Sequence, residues 1–143
     1  MDQQYFLNNY IGTFNQHDHS GFEEVFAPNI KMFNGGLIFE GVEAVKEHYR
    51  QIWSVMKETL NVKEYLPVND NRLVIELHTH FDVPEDKTET PFGEIKQGQQ
   101  FDFHGLILYK IDENQKFYEV HVSYFNFIKT DADGTKTNIG MPH

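Results

Sequence analysis

The sequence predicts one α+β domain, with helices in the first part of the chain and an antiparallel sheet in the rest. Three observations lead to this fold class. Up to Leu60, apolar residues recur at the three- and four-residue spacing that is typical of amphipathic helices. Four extended runs follow, rich in β-branched and aromatic residues and separated by turn-forming breaks. The length of 143 residues is that of a single ordinary domain.

Three helices are predicted before the main sheet. The first follows the potential N-cap Asp2, and its apolar face carries Phe6, Leu7, Tyr10, Ile11 and Phe14. The second is short and ends before Pro28, since proline disfavours helical backbone in the residue that precedes it. The third begins at Gly41, and its apolar face carries Val42, Val45, Tyr49, Ile52, Trp53, Met56 and Leu60.

The strands are predicted from alternation and turn signals. Residues 30–34 and 37–40 flank Gly35-Gly36, whose glycines tolerate positive φ, and indicate a small hairpin. Four later strands are predicted at 61–68, 72–83, 99–111 and 116–129, and they form an antiparallel meander. The polar segment after Thr130 is expected to be a mobile tail. The predicted domain therefore covers residues 1–130, and the tail covers 131–143.

Aligning the last three strands on their turns gives the sheet two unlike faces, because alternate side chains of a strand point to opposite sides. One face is apolar almost throughout. The other carries ionisable groups, namely Glu76, His78, His80, Asp82, Asp102, His104, Glu119 and His121. Since the helices must bury their apolar stripes, we expect them to cover the apolar face, with any cavity between them. A one-residue bulge would exchange the faces locally.

Composition excludes several classes of function. The formal net charge is -10, and the 12 Lys and Arg residues are scattered, which argues against a nucleic-acid partner. The absence of cysteine excludes disulfides, thiolate metal sites and cysteine nucleophiles. No apolar stretch approaches the length needed to cross a bilayer, and the residues that follow Met1 lack the features of a secretion signal. A cytoplasmic location is expected.

Four short segments carry a resemblance to a known superfamily: Phe14-Asn15-Gln16-His17-Asp18, Phe26-Ala27-Pro28-Asn29, Gly41-Val42-Glu43-Ala44-Val45 and Lys116-Phe117-Tyr118-Glu119. In their order and spacing, the chain resembles the NTF2-like superfamily, specifically the SnoaL-like polyketide cyclases and ketosteroid isomerases. The resemblance implies a cone-shaped fold, in which a curved antiparallel sheet wraps around the long helix beside two further N-terminal helices. It also implies a mouth that admits a ligand and, commonly, a homodimer.

The resemblance also assigns roles to single positions. Tyr10 falls where the isomerases keep a tyrosine that hydrogen-bonds the substrate oxygen. Asn34 stands at the position of their proton-shuttling carboxylate, and Ile107 at that of the acid that partners the tyrosine. In place of the acid–base pair of the cyclases, the inward side chains of the last strand are expected to be Val122, Tyr124 and Asn126. The pocket is therefore predicted to lack the usual carboxylates.

These inferences predict a pocket for a small, largely apolar or aromatic molecule, with no cofactor. Its expected lining is Tyr10, Phe14, Asn34, Tyr49, Trp53, Phe103, Ile107, Tyr109, Tyr124 and Asn126, of which Tyr10 is the candidate catalytic residue. Two classes of function stay open. One is isomerase, cyclase or dehydratase chemistry; the other is a non-catalytic ligand-binding or dimerisation module.

A metal site is the weaker alternative. His78-Thr79-His80 places two imidazoles on one strand face and resembles the first metal motif of cupins, but neither the glycine that precedes that motif nor the second cupin motif is present. Asp102 or His104 across the ladder could complete such a site for Zn²⁺ or Ni²⁺. The prediction is nevertheless that these histidines face solvent or a dimer interface and hold no functional metal.

Overall fold

A computed structural model describes residues 1–141 of the chain. The first helical segment consists of α1 (Gln3–Phe6), a π-helical turn (Leu7–Ile11) and α2 (Gly12–Asn15) in direct succession. The Asp2 side chain accepts a hydrogen bond from the Tyr5 backbone amide at 2.8 Å, which confirms the predicted N-cap. Helix α3 spans Ser20–Val25, and α4 spans Val42–Trp53. No helix of the described residues is long and apolar enough to span a membrane.

Within residues 1–141, seven strands form one mixed sheet. Their bounds are β1 (Phe26–Asn34), β2 (Leu37–Glu40), β3 (Lys57–Asn69), β4 (Arg72–Asp82), β5 (Gln100–Ile111), β6 (Phe117–Thr130) and β7 (Lys136–Asn138). The strand order is β2-β1-β6-β5-β4-β3, and β7 pairs with β6. All pairs are antiparallel except β1 with β6, which run parallel. The predicted α+β class, with a curved sheet and helices from the N-terminal part, is confirmed.

The third helix is shorter than predicted. It ends at Trp53, and β3 begins at Lys57 instead of residue 61. Met56 and Leu60 are both buried, and their four-residue spacing fits a helical face. The same spacing also fits a strand, because alternate residues of a strand share a face. The structure adopts the second solution, with Glu58 buried between them on the inner face.

Two irregularities interrupt β6. The pairing with β5 shifts between His104 and Gly105, so Phe125 is an extra residue on β6. The pairing shifts a second time between Lys110 and Ile111, where Tyr118 is the extra residue. An extra residue reverses the facing of the strand beyond it. Phe117 and Phe127 therefore join the core, whereas the alternation in the sequence predicted Asn126 on that side.

The helices and the loop after β4 cover the inner face of the sheet. The fully buried aromatic side chains there are Phe6, Phe14, Phe22, Phe26 and Phe117. The predicted polar tail is only partly separate from the sheet. Chain beyond Thr130 turns through Gly134, which has a φ of 92°, and returns as β7. This short strand replaces the mobile tail predicted for its residues, while Pro142 and His143 of the predicted tail lie outside the described residues.

Candidate functional site

A cavity of about 70 Å³, open to water-sized molecules, lies between the helices and the inner face of the sheet. Apolar and aromatic side chains dominate its walls, and a few polar groups converge on it. The lining comprises Tyr10, Phe14, Met32, Asn34, His48, Tyr49, Ile52, Glu58, Leu60, Leu77, Thr79, Phe81, Phe92, Phe103, Ile107, Tyr109, Val120, Val122, Tyr124 and Phe127. This composition is typical of small-molecule sites.

Eight of the ten side chains predicted from sequence line this cavity. Trp53 does not; it lies one layer behind, where its ring stacks on His17 with centroids 4.7 Å apart. Asn126 is also misplaced by the sequence reading. Because Phe125 is an extra residue, Asn126 pairs opposite His104 on the outer face, and Phe127 takes the inner position.

Glu58 is an acidic residue of the cavity that the sequence analysis did not predict. Its side chain is 4% exposed and lines the cavity, and its Oε1 atom accepts a hydrogen bond from Trp53 Nε1 at 3.1 Å. Burial raises the pKa of the Glu58 carboxyl to about 8, and the Trp53 hydrogen bond offsets only part of that increase. Near neutral pH the carboxyl is therefore mostly protonated, and it can donate a hydrogen bond or a proton.

The backbone around Glu58 is fixed by the first helical segment. Strand β3 lies at the sheet edge, so its outward N–H and C=O groups have no neighbouring strand. Asn15 supplies both partners for Leu60: its Nδ2 donates to Leu60 O at 3.0 Å, and its Oδ1 accepts from Leu60 N at 2.7 Å. His17 Nε2 lies 3.1 Å from Glu58 O. Two side chains thus replace a missing strand and hold Glu58 in place.

Tyrosine side chains also line the cavity. Burial first, and then the charge of Glu58, raises the pKa of Tyr10. The same two causes raise the pKa of Tyr124 to about 12, and Tyr124 donates a hydrogen bond to Asn34 Oδ1 at 2.8 Å. Burial first, and then the neighbouring Tyr10 and Tyr49, raises the pKa of Tyr109. All of these hydroxyls are protonated near neutral pH, and since the Tyr124 proton is donated to Asn34, Tyr10 and Tyr109 are the candidate donors toward a ligand oxygen.

One sequence pattern does indicate the inward position of Glu58. Met56, Glu58, Leu60 and Val62 alternate with polar residues, which predicts a strand that starts earlier than residue 61. The helical interpretation of Met56 and Leu60 hid this alternation, because both patterns fit the same two residues. Because glutamate is rarely buried, its residue type also argues against placing Glu58 on the inner face.

The sequence profile of the SnoaL-like domain matches residues 7–120, which is most of the chain. The chain belongs to this SnoaL-like family. Comparison with curated protein sequences gives no match. The fold assigned from sequence, within the NTF2-like superfamily, is therefore confirmed at the level of family.

Solved structures that resemble this SnoaL-like domain share its fold at low sequence identity. TsrD from Streptomyces laurentii has a TM-score of 0.68 and 13% identity, over 87% of this chain and 91% of that chain. A computationally designed 17-OHP binder has a TM-score of 0.67 and 14% identity, over 94% and 96%. The epoxide hydrolase/cyclase-like enzyme SalBIII, described in pyran ring formation in the polyether salinomycin, has a TM-score of 0.64 and 13% identity, over 85% and 88%.

The outer face of the SnoaL-like domain carries the histidines predicted to point away from the helices. Thr79 lines the cavity, and His78 and His80 on either side of it point outward. Asp102, directly opposite His80, accepts hydrogen bonds on one oxygen from His78 Nε2 and from His80 Nδ1, each at 2.7 Å. His104 stacks on His78 with centroids 4.6 Å apart.

A second polar group lies farther along the same face. Glu119 pairs with Lys110 and accepts a hydrogen bond from His121 Nε2 at 2.7 Å. The hydrogen bond from Lys110, followed by that from His121, lowers the pKa of Glu119 to about 2. His121 also stacks on Phe33 with centroids 4.5 Å apart. This group is separate from the one around Asp102.

Proposed function

We propose that the cavity of this SnoaL-like domain binds a small, largely apolar or aromatic molecule that carries an oxygen function, and that Glu58 acts on it. The observation that carries the proposal is a buried carboxyl group, neutral near pH 7, in an otherwise aromatic cavity. A neutral acid in an apolar site can donate to an oxygen that gains negative charge during a reaction.

The proposed chemistry is of the isomerase, cyclase or dehydratase kind, in which a proton moves on a substrate bound by its oxygen. Trp53 donates to Glu58 Oε1, which leaves Oε2 to carry the acidic proton toward the ligand. Tyr10 is the second donor, as the resemblance to ketosteroid isomerases implies. Asn34 accepts from Tyr124, which leaves its amide group available for a further contact with the ligand.

The second candidate function is non-catalytic binding. It is favoured by Asn34 and Ile107, which stand where the isomerases carry carboxyl groups and cannot exchange protons near neutral pH. In this case the cavity binds a ligand without converting it. The homodimer and the cytoplasmic location stay predictions.

A ligand screen with two variants tests the proposal. Small aromatic acids, phenols and monocyclic ketones are tested for a saturable rise in melting temperature, since a cavity of about 70 Å³ has no room for a steroid nucleus. Each compound that binds is then assayed for conversion. Glu58→Gln keeps the size and the Trp53 contact but removes the proton. We expect it to bind the same compound and to lose roughly 100-fold or more in kcat. Glu64→Gln, on the exposed part of the same strand, is the matched control.

The pH dependence supplies a second criterion. If Glu58 is the general acid, kcat should fall as pH rises through about 8 in the wild type, and E58Q should lack that step. Binding without conversion in the wild type supports the non-catalytic module. Failure of every compound to bind, or unchanged kcat in E58Q, contradicts the role of Glu58.

A further inference from the structure

We propose that His78, His80 and Asp102 form a binding site for one divalent transition-metal ion on the outer face of the sheet. The three side chains offer one ligand atom each, and these atoms lie within 4.8 Å of one another. A tetrahedral site with bonds of about 2.0 Å needs donor atoms roughly 3.3 Å apart. Small side-chain rotations are enough to reach that spacing. The site is independent of the cavity and of its proposed function.

The backbone places these ligands on a rigid part of the fold. Strands β4 and β5 are interior strands of the sheet, so each is hydrogen-bonded on both sides. His78 and His80 are two residues apart on β4 and share a face, and Asp102 is the direct cross-strand partner of His80. The geometry is therefore set by the strand register and not by a loop.

Both imidazoles already converge on a single point. His78 Nε2 and His80 Nδ1 each lie 2.7 Å from the same oxygen, Asp102 Oδ1. Each of these hydrogen bonds aims a ring nitrogen at the same carboxylate oxygen, so a divalent cation can take the place of the bridging protons once they have left. Each of these side chains is about a quarter exposed, which leaves a coordination position open to water.

The outer contacts of the rings match those that orient metal ligands. The far nitrogen of His80, Nε2, lies 3.1 Å from Asp82 Oδ1, and His78 Nδ1 lies 3.4 Å from the Asn61 amide. A carboxylate or amide behind a ligating imidazole fixes its tautomer and orientation. His104 stacks on His78 and limits its rotation. The site thus has both a ligand set and a supporting layer.

The donor set indicates the class of metal. Two imidazoles and one carboxylate suit Zn²⁺, Co²⁺ or Ni²⁺, whereas Ca²⁺ and Mg²⁺ need more oxygen ligands. The net charge of -10 favours any cation near this face. We infer a site for an imidazole-preferring ion with three protein ligands.

Direct metal titration tests this inference. The full chain is freed of any affinity tag and of metal with a chelator. It is then titrated with Zn²⁺ by calorimetry and with Co²⁺ by visible absorption. We expect one ion per chain. His80→Gln and Asp102→Asn should each weaken binding by at least roughly tenfold, and Asp82→Asn, which acts through His80, should weaken it by roughly tenfold.

His121→Gln is the matched control, because His121 is an exposed histidine beside a carboxylate on the same face. It should retain wild-type affinity and stoichiometry. Circular dichroism of the metal-free variants checks that each one folds. The inference is overturned if the wild type binds no ion, if D102N binds as tightly as the wild type, or if H121Q weakens binding as much as H80Q does.

Discussion

On the inner face of the sheet an acidic side chain is held neutral, whereas on the outer face acidic side chains are held charged. Burial raises the pKa of Glu58, with one neutral indole as its hydrogen-bond donor. Asp102 is partly buried too, which opposes ionisation, but hydrogen bonds from His80 and His78 outweigh that effect and lower its pKa. The number and charge of the donors, and not the strand itself, decide the protonation state of each acid.

The two faces are only one residue apart along the chain. Thr79 contributes to the cavity, and its neighbours His78 and His80 contribute to the outer cluster. A sheet one residue thick therefore separates an apolar, proton-donating site from a polar, cation-attracting one. This separation predicts that the two faces respond to pH with opposite signs.

The largest effect is expected for Glu58. Its pKa is about 8 in the folded chain and about 4.5 when exposed, so the folded state binds an extra proton between these values. Stability from this group is complete below about pH 4.5 and is lost as pH rises through about 8. The wild type should lose roughly 4 to 5 kcal/mol relative to E58Q over that range. Urea unfolding at several pH values measures the difference.

The exposed Glu64→Gln variant is the control and should keep the wild-type profile. If wild type and E58Q show parallel profiles between pH 5 and 9, the neutral acid on the inner face is disproved, and the contrast between the two faces disappears.

A smaller but substantial effect is expected at Gly105, on β5 beside the bulge. A Cβ atom there would lie 2.1 Å from Ser123 O and 2.6 Å from Phe103 Cζ, so Gly105→Ala must displace backbone or an inner-face ring. We expect a loss of about 3 kcal/mol in the free energy of unfolding, since overpacking of this kind costs that order.

Gly12→Ala provides the comparison for G105A. In the helix, its added Cβ would meet only Leu7 O, at 3.4 Å, and should be neutral or slightly stabilising. Thermal denaturation of both variants tests the difference. Equal melting temperatures would mean that the inner face near the bulge is loosely packed.

The smallest effect is expected on the outer face. Glu119→Gln removes the charge that pairs with Lys110 and His121, and exposed pairs contribute less than about 1 kcal/mol. Because the pKa of Glu119 is lowered to about 2, this contribution is present above about pH 4.5 and is lost as pH falls toward 2. Its pH dependence is thus opposite in sign to that of Glu58.

Unfolding of E119Q at pH 3 and pH 7, at low and high salt, measures this contribution. The prediction fails if E119Q loses as much free energy of unfolding at pH 7 as is expected for Glu58, or if its loss does not depend on salt. Either result would show that charges on the outer face are not screened by solvent, and that the two faces do not differ in this respect.

The sequence predicted the arrangement of elements well because periodicity depends on local residue order. The alternation in β4 and β5 places Leu77, Thr79 and Phe103 inward without any knowledge of the sheet. The errors arise where one pattern has two solutions. Met56 and Leu60 fit both a helix and a strand, so α4 was predicted too long, and the inward position of Glu58 was not recognised.

The other errors come from pairing between distant segments. Nothing local to Phe125 or Tyr118 marks them as extra residues, because a bulge is defined by the partner strand. Asn126 was therefore assigned to the cavity and Phe127 was overlooked. The outer cluster was only partly foreseen: His78 and His80 adjoin in sequence, but the choice of Asp102 as their partner depends on strand register, and His104 stacks beside them without joining the ligand set.

The extra residue at Phe125 also governs how relatives of this domain can be compared. An alignment that treats β6 as a regular strand will assign every residue after Tyr124 to the wrong face of the sheet. It will therefore match Asn126 with a pocket residue of another protein. Substitutions at 124 and 127 should then change ligand preference, while those at 126 should alter the surface opposite. A catalytic position can therefore be transferred from another member of the family only after the alignment has been offset by the one extra residue at Phe125.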